Sequence, residues 1–352
     1  GFSAILLAVG AWKDRPLAVP GIDEYQDRGF YYQNPFVSWF NQKHDPNFEG
    51  SQMEIVDDAI VVGGGLASLD VVKILMIETT LEALRNRGVE ADFFALEKKG
   101  IPKVLASLGL KWEDLNLKGC TLYYRRRAKD MPLVPLDDNA DEARLAKAEV
   151  VREKLLDNFL SKFLFRFEPC TLPVEKIVEG ERLAGLVLRR TEVRDGRARE
   201  LPGTDFEVRS PLVISSIGSL PDHLPDLEMD GNFFQVSDPE TGKLDPFENV
   251  FALGNAVTGR GNIRDSRIHA QRVAQFVMDS FLEWKEDDYA ALQAAGEESE
   301  VDRILQERCL KTVDELQEIL SWVADRQRRV GYDGNYQSWV ERHMPVRLES
   351  MT

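Results

Sequence analysis

The sequence predicts an α/β fold centred on an open parallel sheet, and three observations carry that expectation. The apolar run Ala59-Ile-Val-Val62 breaks into Gly63-Gly-Gly65 and opens at once into the helix-like Leu66-Ala-Ser-Leu-Asp70. A second apolar run, Cys120-Thr-Leu-Tyr-Tyr124, ends in Arg125, Arg126 and Arg127. Short apolar runs alternate along the chain with segments of helical period, as they do where a parallel sheet is wound between helices.

Each part of the glycine turn has its own role. Gly63 lets the chain turn sharply after the strand, and Gly65, without a Cβ, lets the backbone approach a pyrophosphate. The following helix points unpaired N–H groups and its positive dipole end at that anion. Ser68 stands where a third small residue must let helix and strand pack closely. Alone, such a turn also fits an ordinary strand–helix connection. The arginines add to it: a site for an unphosphorylated ribose ends its second strand in a carboxylate, whereas a 2′-phosphate calls for arginine there. A solvated basic turn is the other reading, but three adjacent arginines in a chain of net charge −16 favour the phosphate.

The same charge argues against a general nucleic-acid binder and against a protein resting on anionic membranes. At 352 residues the chain can bury a large core and form two or three domains. No run approaches the length of a membrane span and no signal peptide is visible, which fits a cytoplasmic protein. The start at Gly1, directly ahead of strand-like sequence, leaves open that the natural N-terminus lies upstream. Cys120, Cys170 and Cys309 are isolated and read as buried thiols. They offer neither a Cys-x-x-Cys dithiol nor a four-cysteine iron–sulfur cluster, and the dispersed histidines show no metal-ligand spacing.

In chain order, Ala4–Trp12 reads as a short strand closed by Gly10, Pro16–Gly21 as a loop, and Phe30–Asn41 as a short helix or linker. Leu66 to Leu84 keeps helical period. A strand–helix–strand crossover is normally short, yet residues 85–118 insert a further helix around Ile101–Leu108. That insertion reads as a helical decoration, with a lid or a partner surface as the other reading. Asp141–Leu164 is a charged helix with an apolar stripe. Strands follow at Glu175–Val178, Ala184–Arg190, Asp205–Val208 and Leu212–Ile217, separated by turns at Glu179-Gly180 and Asp195-Gly196, and suit an added antiparallel layer. Pro211–Gly218 repeats the character of Ala4–Gly10, each ending in small residues where a backbone passes close to a ligand. Asn249–Gly254 is a further strand, followed by Asn255 and a glycine-rich turn that opens a helix running to about Trp284, a second arrangement suited to an anion or a polar ring edge. Beyond Glu286 the chain reads as helical, with Val301, Ile304, Leu305, Val313, Leu316, Ile319, Leu320 and Val323 in an apolar stripe for intramolecular packing, or for an oligomer or partner contact.

In this order the pieces resemble the flavoprotein superfamily with two dinucleotide-binding domains. The nearest branch is that of the glutamate synthase small subunit and the adrenodoxin-reductase-like ferredoxin–NADP reductases, within the pyridine nucleotide-disulfide oxidoreductases. The resemblance rests on Ala4–Trp12, Gly63–Asp70, Tyr124-Arg-Arg126 through Met131-Pro132, Val213–Pro221 and Val250–Asn255, and spans residues 1–284. It implies a Rossmann-like NAD(P)-binding domain, residues 51–210, inserted in an incomplete FAD-binding domain made of residues 1–50 and 211–284, with C-terminal helices beyond. It matches Gly63, Gly65, Leu66 and Ala67 to the pyrophosphate turn, and Arg125 and Arg126 to the pair that grips the 2′-phosphate of NADP(H). Gly254 and Asn255 match the FAD-binding Gly-Asp, while Gly261, Asn262 and Ile263 match the helix start facing the flavin; Gly218 falls in the matched Val213–Pro221 segment. Gly10, Ala11 and Trp12 are expected near the nicotinamide–flavin junction.

Three departures stand out: the first FAD glycine fingerprint, expected ahead of Ala4, is absent, Asn255 replaces aspartate, and 85–118 is long. The resemblance implies an oxidoreductase in which hydride passes between NADPH and FAD and electrons leave to an iron–sulfur partner. Cofactors carry that chemistry, so no protein acid or base is required. The other reading is a non-catalytic nucleotide-binding subunit, or a fragment whose FAD site is completed by another chain. A flavin monooxygenase or amine oxidase relative fits less well, because no aromatic substrate cage can be picked out.

Overall fold

The computed structural model describes residues 2–134, 136, 140–245, 247–259, 263–282 and 312–344. The chain enters through β1 (Ile5–Leu7) and β2 (Lys13–Asp14), then β3 (Phe30–Tyr32) and α1 (Gln33–Gln42). The aromatic segment expected as a short helix or linker is thus a buried strand followed by a helix. Three residues show too little alternation to announce a strand, and all three are buried because sheet and helices cover both faces.

β4 (Ile60–Gly63) leads through the glycine turn into α2 (Leu66–Arg85). The insertion holds two helices rather than one, α3 (Phe93–Lys99) and α4 (Ile101–Ser107). Asp92 caps α3 by accepting the Ala95 N–H at 2.6 Å. β5 (Thr121–Tyr123) precedes the arginines, and α5 (Glu142–Phe163) starts at the Asp141 cap, which accepts the Arg144 N–H, and stops at Leu164, with φ +61°. β6 (Arg166–Glu168) is a strand that the sequence pattern does not announce.

β7 (Thr171–Glu179), β8 (Arg182–Arg194), β9 (Arg197–Glu200) and β10 (Phe206–Arg209) pair antiparallel, with β9 folding back on the far end of β8. Asp195 and Gly196, at φ +50° and +69°, turn the β8–β9 hairpin. β11 (Val213–Ser216) then returns to the main sheet, whose strand order is β3-β11-β4-β5-β6, with every neighbour parallel. The run expected to belong to the later flavin segment therefore lies against the glycine-turn strand, Ser216 opposite Gly63. The sheet draws β3 and β11 from outside the 51–210 span expected for it.

Alternation along these strands splits the core. Tyr31, Val61, Leu122 and Ile214 face the helices, packing with Phe36, Leu69, Met76 and Leu156. Phe30, Tyr32, Ile60, Val62 and Val213 face Leu183, Leu186 and Leu188 of β8. The sheet is thus buried on both sides, as parallel sheets require.

After β12 (Ser219–Leu220) come the hairpin β13 (Met229–Asp230) and β14 (Phe233–Phe234), then β15 (Val250–Ala252), α6 (Asn255–Thr258) and α7 (Ile263–Phe276). β15 pairs parallel with β1, Leu6 opposite Phe251, and Val273 of α7 packs against Phe251. The two links between the sheets run side by side as the antiparallel pair β2–β12. Asn34 pins them: its N–H donates to Asp14 Oδ1 at 3.2 Å, and its Nδ2 to the Trp12 carbonyl at 2.7 Å and Ser219 Oγ at 3.0 Å. Burial raises the Asp14 carboxyl to about 6 against the opposing effect of that Asn34 N–H.

α8 (Val313–Arg329) begins with a capping box between Thr312 and Glu315, and α9 (Tyr336–His343) follows. Val301, Ile304 and Leu305 of the expected stripe lie outside the described residues. Leu316, Ile319 and Leu320 are exposed, so the intramolecular packing expected of the stripe is not seen among the described residues. Among the described residues, no helix is long and apolar enough to cross a membrane.

Candidate functional site

The glycine turn sits at the carboxyl ends of the strands, beside the ends of β11 and β5, where open α/β sheets bind their ligands. Its three glycines do different work. A Cβ on Gly63 would be driven into the Ser216 carbonyl and would lie 2.7 Å from Ser68 Cβ, so the first glycine is demanded by close packing of strand, strand and helix. A Cβ on Gly64 would enter the ring of Tyr124. On Gly65 it would meet nothing within 4 Å. Gly65 therefore borders open space, and its φ of −91° is one any residue can adopt.

Ser68 fulfils the third-residue expectation: it is fully buried, and its Oγ donates to the Gly65 carbonyl at 2.6 Å. Gly65 is the N-cap of α2 and no side chain caps the helix there. Leu66 is exposed and Ala67 half-buried, leaving the first turn open toward an anion.

The backbone of the arginine turn is tied down from the antiparallel sheet. Thr191 Oγ1 donates to the Arg125 carbonyl at 2.8 Å, and the Cys170 N–H to the Arg126 carbonyl at 3.0 Å. The side chains then diverge. Arg127 spends its charge on Asp130 through a two-point ion pair, Nε to Oδ2 at 2.8 Å and Nη2 to Oδ1 at 2.9 Å, which holds the Asp130 carboxyl below its usual range although burial pushes it up. Arg125 is exposed, and Arg126, half-buried, donates from Nε to Tyr124 Oη at 3.0 Å and from Nη1 to the Gly196 carbonyl at 3.3 Å. No carboxylate is paired with either arginine among the described ion pairs, so this pair can meet a phosphate and Arg127 is committed elsewhere.

A second cleft, of about 310 Å³, opens where β1 and β15 end against α7 and is lined by Gly10, Gly254, Asn255, Ser266 and Arg267. Gly254 holds φ +76°, a conformation natural only to glycine. Its N–H donates to Nδ1 of the buried His269 at 3.0 Å, which leaves the ring proton on Nε2, 2.9 Å from the Pro239 carbonyl. His269 thus fastens the helix to the strand end. Sequence reasoning misses it, because its only local signal is a histidine one helix beyond Gly254. We expect His269→Ala to leave a buried N–H and a carbonyl unpaired at a cost of about 1–3 kcal/mol, read as a lowered Tm in thermal unfolding. Arg267, also missed, brings a cation to this cleft.

Of the remaining expected residues, Gly10 also lines this cleft. Gly10 has φ +68°, Ala11 is half-buried and Trp12 is 74 % exposed. Gly218, at φ +99°, accepts the Arg15 N–H at 3.0 Å on the inter-sheet link. Ile263 opens α7 and is 90 % exposed. Gly261 and Asn262 lie outside the described residues. Cys120 is buried and burial pushes its thiol up, Cys170 is half-buried, and Cys309 lies outside the described residues.

The geometry therefore sets an uncapped helix N-terminus beside two arginines that no described carboxylate pairs, and adds a separate cleft. No family model matches the chain. Among known proteins the chain is 26 % identical over 280 residues to the NADPH-ferredoxin reductase FprA of Mycobacterium leprae, a match covering 72 % of this chain and 58 % of that protein. It is 27 % identical over 282 residues to its counterpart in Mycobacterium tuberculosis, with the same coverage. It is also 25 % identical over 160 residues to the mitochondrial NADPH:adrenodoxin oxidoreductase of Arabidopsis thaliana, over 42 % of this chain and 32 % of that one. Among solved structures, Mycobacterium tuberculosis FprA in complex with NADPH superposes with a TM-score of 0.60 at 22 % identity, over 93 % of this chain and 70 % of the other. The fold is shared, the relatives lie in the superfamily with two dinucleotide-binding domains, and the chain spans 58 % of the length of the FprA relatives.

Proposed function

We propose that this chain is the NADPH-binding part, together with one wall of the flavin site, of an FAD-dependent NADPH oxidoreductase that passes electrons to an iron–sulfur protein. One observation carries the reading: the uncapped N-terminus of α2, with open space at Gly65, lies one strand away from Arg125 and Arg126, whose backbone is fixed and whose charges are not spent on carboxylates. A pyrophosphate fits the first and a ribose 2′-phosphate the second. When bound, NADPH supplies a hydride and FAD takes it up and releases electrons singly. The chain's own residues bind and orient: α2 and Gly65 hold the pyrophosphate, and Arg125 and Arg126 the 2′-phosphate.

The flavin wall fits in part. Gly254, Asn255, Arg267 and Gly10 share a cleft, but no glycine fingerprint for a second pyrophosphate occurs in the sequence. Among the described residues β1 pairs with β15 alone, and Ile5 and Leu6 are 37 % and 43 % exposed, although a parallel sheet is normally covered on both faces. In this reading further polypeptide pairs with the free edge of β1 and supplies the missing wall. The same observation supports the second reading, a nucleotide-binding subunit without chemistry of its own.

Calorimetric titration with NADP⁺ and the visible spectrum separate the two readings. NADP⁺ binding, together with a flavin absorption that NADPH bleaches, is expected for the oxidoreductase. A colourless protein that binds NADP⁺ supports the subunit reading, and failure to bind NADP⁺ overturns both.

A further inference from the structure

We propose that Tyr124 is a positioning residue that couples the pyrophosphate turn to the 2′-phosphate arginine and so sets discrimination between phosphorylated and unphosphorylated dinucleotides. The inference rests on the assignment of Arg126 to the 2′-phosphate. Tyr124 follows β5 and is buried, 7 % exposed, and it touches both halves of the site at once. Its ring occupies the space that a Cβ on Gly64 would need, so the middle glycine of the turn and this aromatic ring are fitted to each other. Its hydroxyl donates to the Asp130 carbonyl at 2.9 Å and accepts from Arg126 Nε at 3.0 Å. The guanidinium also lies 5.7 Å from the centre of the same ring.

The consequence is entropic and directional. A free arginine side chain samples many rotamers, and ordering it on a ligand costs affinity. Here Nε is engaged by the Tyr124 hydroxyl, Nη1 reaches the Gly196 carbonyl at 3.3 Å and the guanidinium is held against the ring, so its orientation is fixed before a ligand arrives. The Asp130 carbonyl fixes the hydroxyl rotor so that its lone pair faces Arg126. Asp130 itself is locked by Arg127, so the third arginine of the run braces the tyrosine that aims the second. A tyrosine acting only as core packing would need its ring and not this hydroxyl geometry.

The test uses the intact chain and calorimetric binding of NADP⁺ and NAD⁺ as probes. Tyr124→Phe keeps the ring against Gly64 and removes only the hydroxyl. The expected result is about a tenfold weaker NADP⁺ complex, with NAD⁺ changed less than about twofold and Tm lowered modestly by the lost hydroxyl bonds. In an Arg126→Ala background the same substitution is expected to have no further effect on NADP⁺, because the hydroxyl acts through Arg126. Equal weakening of both nucleotides, or a full Tyr124→Phe effect without Arg126, would overturn the proposal in favour of a purely structural tyrosine. An unchanged Tyr124→Phe alongside a selective Arg126→Ala loss overturns the Tyr124 role alone. If Arg126→Ala itself does not discriminate between the nucleotides, the assignment of Arg126 falls and this proposal with it.

Discussion

The Arg125→Ala/Arg126→Ala double variant is expected to bind NADP⁺ at least about a hundredfold more weakly while binding NAD⁺ almost as before. The size follows from two charge-assisted contacts, each about 1.5–3 kcal/mol, at tenfold per 1.4 kcal/mol. The selectivity follows from chemistry, since only NADP⁺ carries a 2′-phosphate. The substitution should leave the fold intact, because the turn is held by its backbone: the Arg125 and Arg126 carbonyls keep their bonds from Thr191 and Cys170. Rising salt should weaken NADP⁺ binding to the unsubstituted chain more than to the variant. Equal losses for NADP⁺ and NAD⁺ would remove the arginines from the 2′-phosphate.

The second large effect separates two glycines of the same turn. Gly65→Val places a side chain where a Cβ meets nothing within 4 Å, at a backbone conformation valine tolerates. Stability should hold, while NADP⁺ and NAD⁺ both weaken by about ten- to hundredfold, since under the proposed function that space takes the shared pyrophosphate and overfilling costs about 1–3 kcal/mol. Gly63→Ala should do the reverse at the level of the fold. Its methyl group collides with the Ser216 carbonyl of β11 and with Ser68, neither of which can move without parting the sheet or lifting α2. A cost of about 1–3 kcal/mol lowers Tm at about 2–4 °C per kcal/mol. Paired thermal unfolding and titration would sink this division if Gly65→Val unfolded the chain, or if Gly63→Ala left Tm unchanged.

The legible parts of the molecule are those governed by local chemistry. Strand, glycine turn and helix follow one another in the chain, so Ile60–Gly63 and Leu66–Arg85 can be read directly, as can the helix that starts at Asp141 and the Asp195-Gly196 turn. β3, β6 and β9 are not legible, because three- and four-residue strands acquire their identity from the neighbours they pair with. β11 is legible as a strand but not in its place beside β4, since nothing in Val213–Ser216 states that its partners are Ile60–Gly63 on one side and Phe30–Tyr32 on the other. His269 and Arg267 escape for the same reason: their roles exist only once α7 is laid across the end of β15.

By itself, then, the sequence determined that a glycine turn opens a helix and that a later strand ends in guanidinium groups. Both are properties of consecutive residues and of unsatisfied backbone at a helix end. Only the tertiary structure decided that these two features are neighbours, that Gly63 is closed in by Ser216 and Ser68 while Gly65 borders open space, and that Arg127 is spent on Asp130 while Tyr124 holds Arg126. Those assignments depend on which atoms meet across the sheet. Close packing gives each Cβ and each lone pair a definite partner there, and no spacing along the chain encodes it.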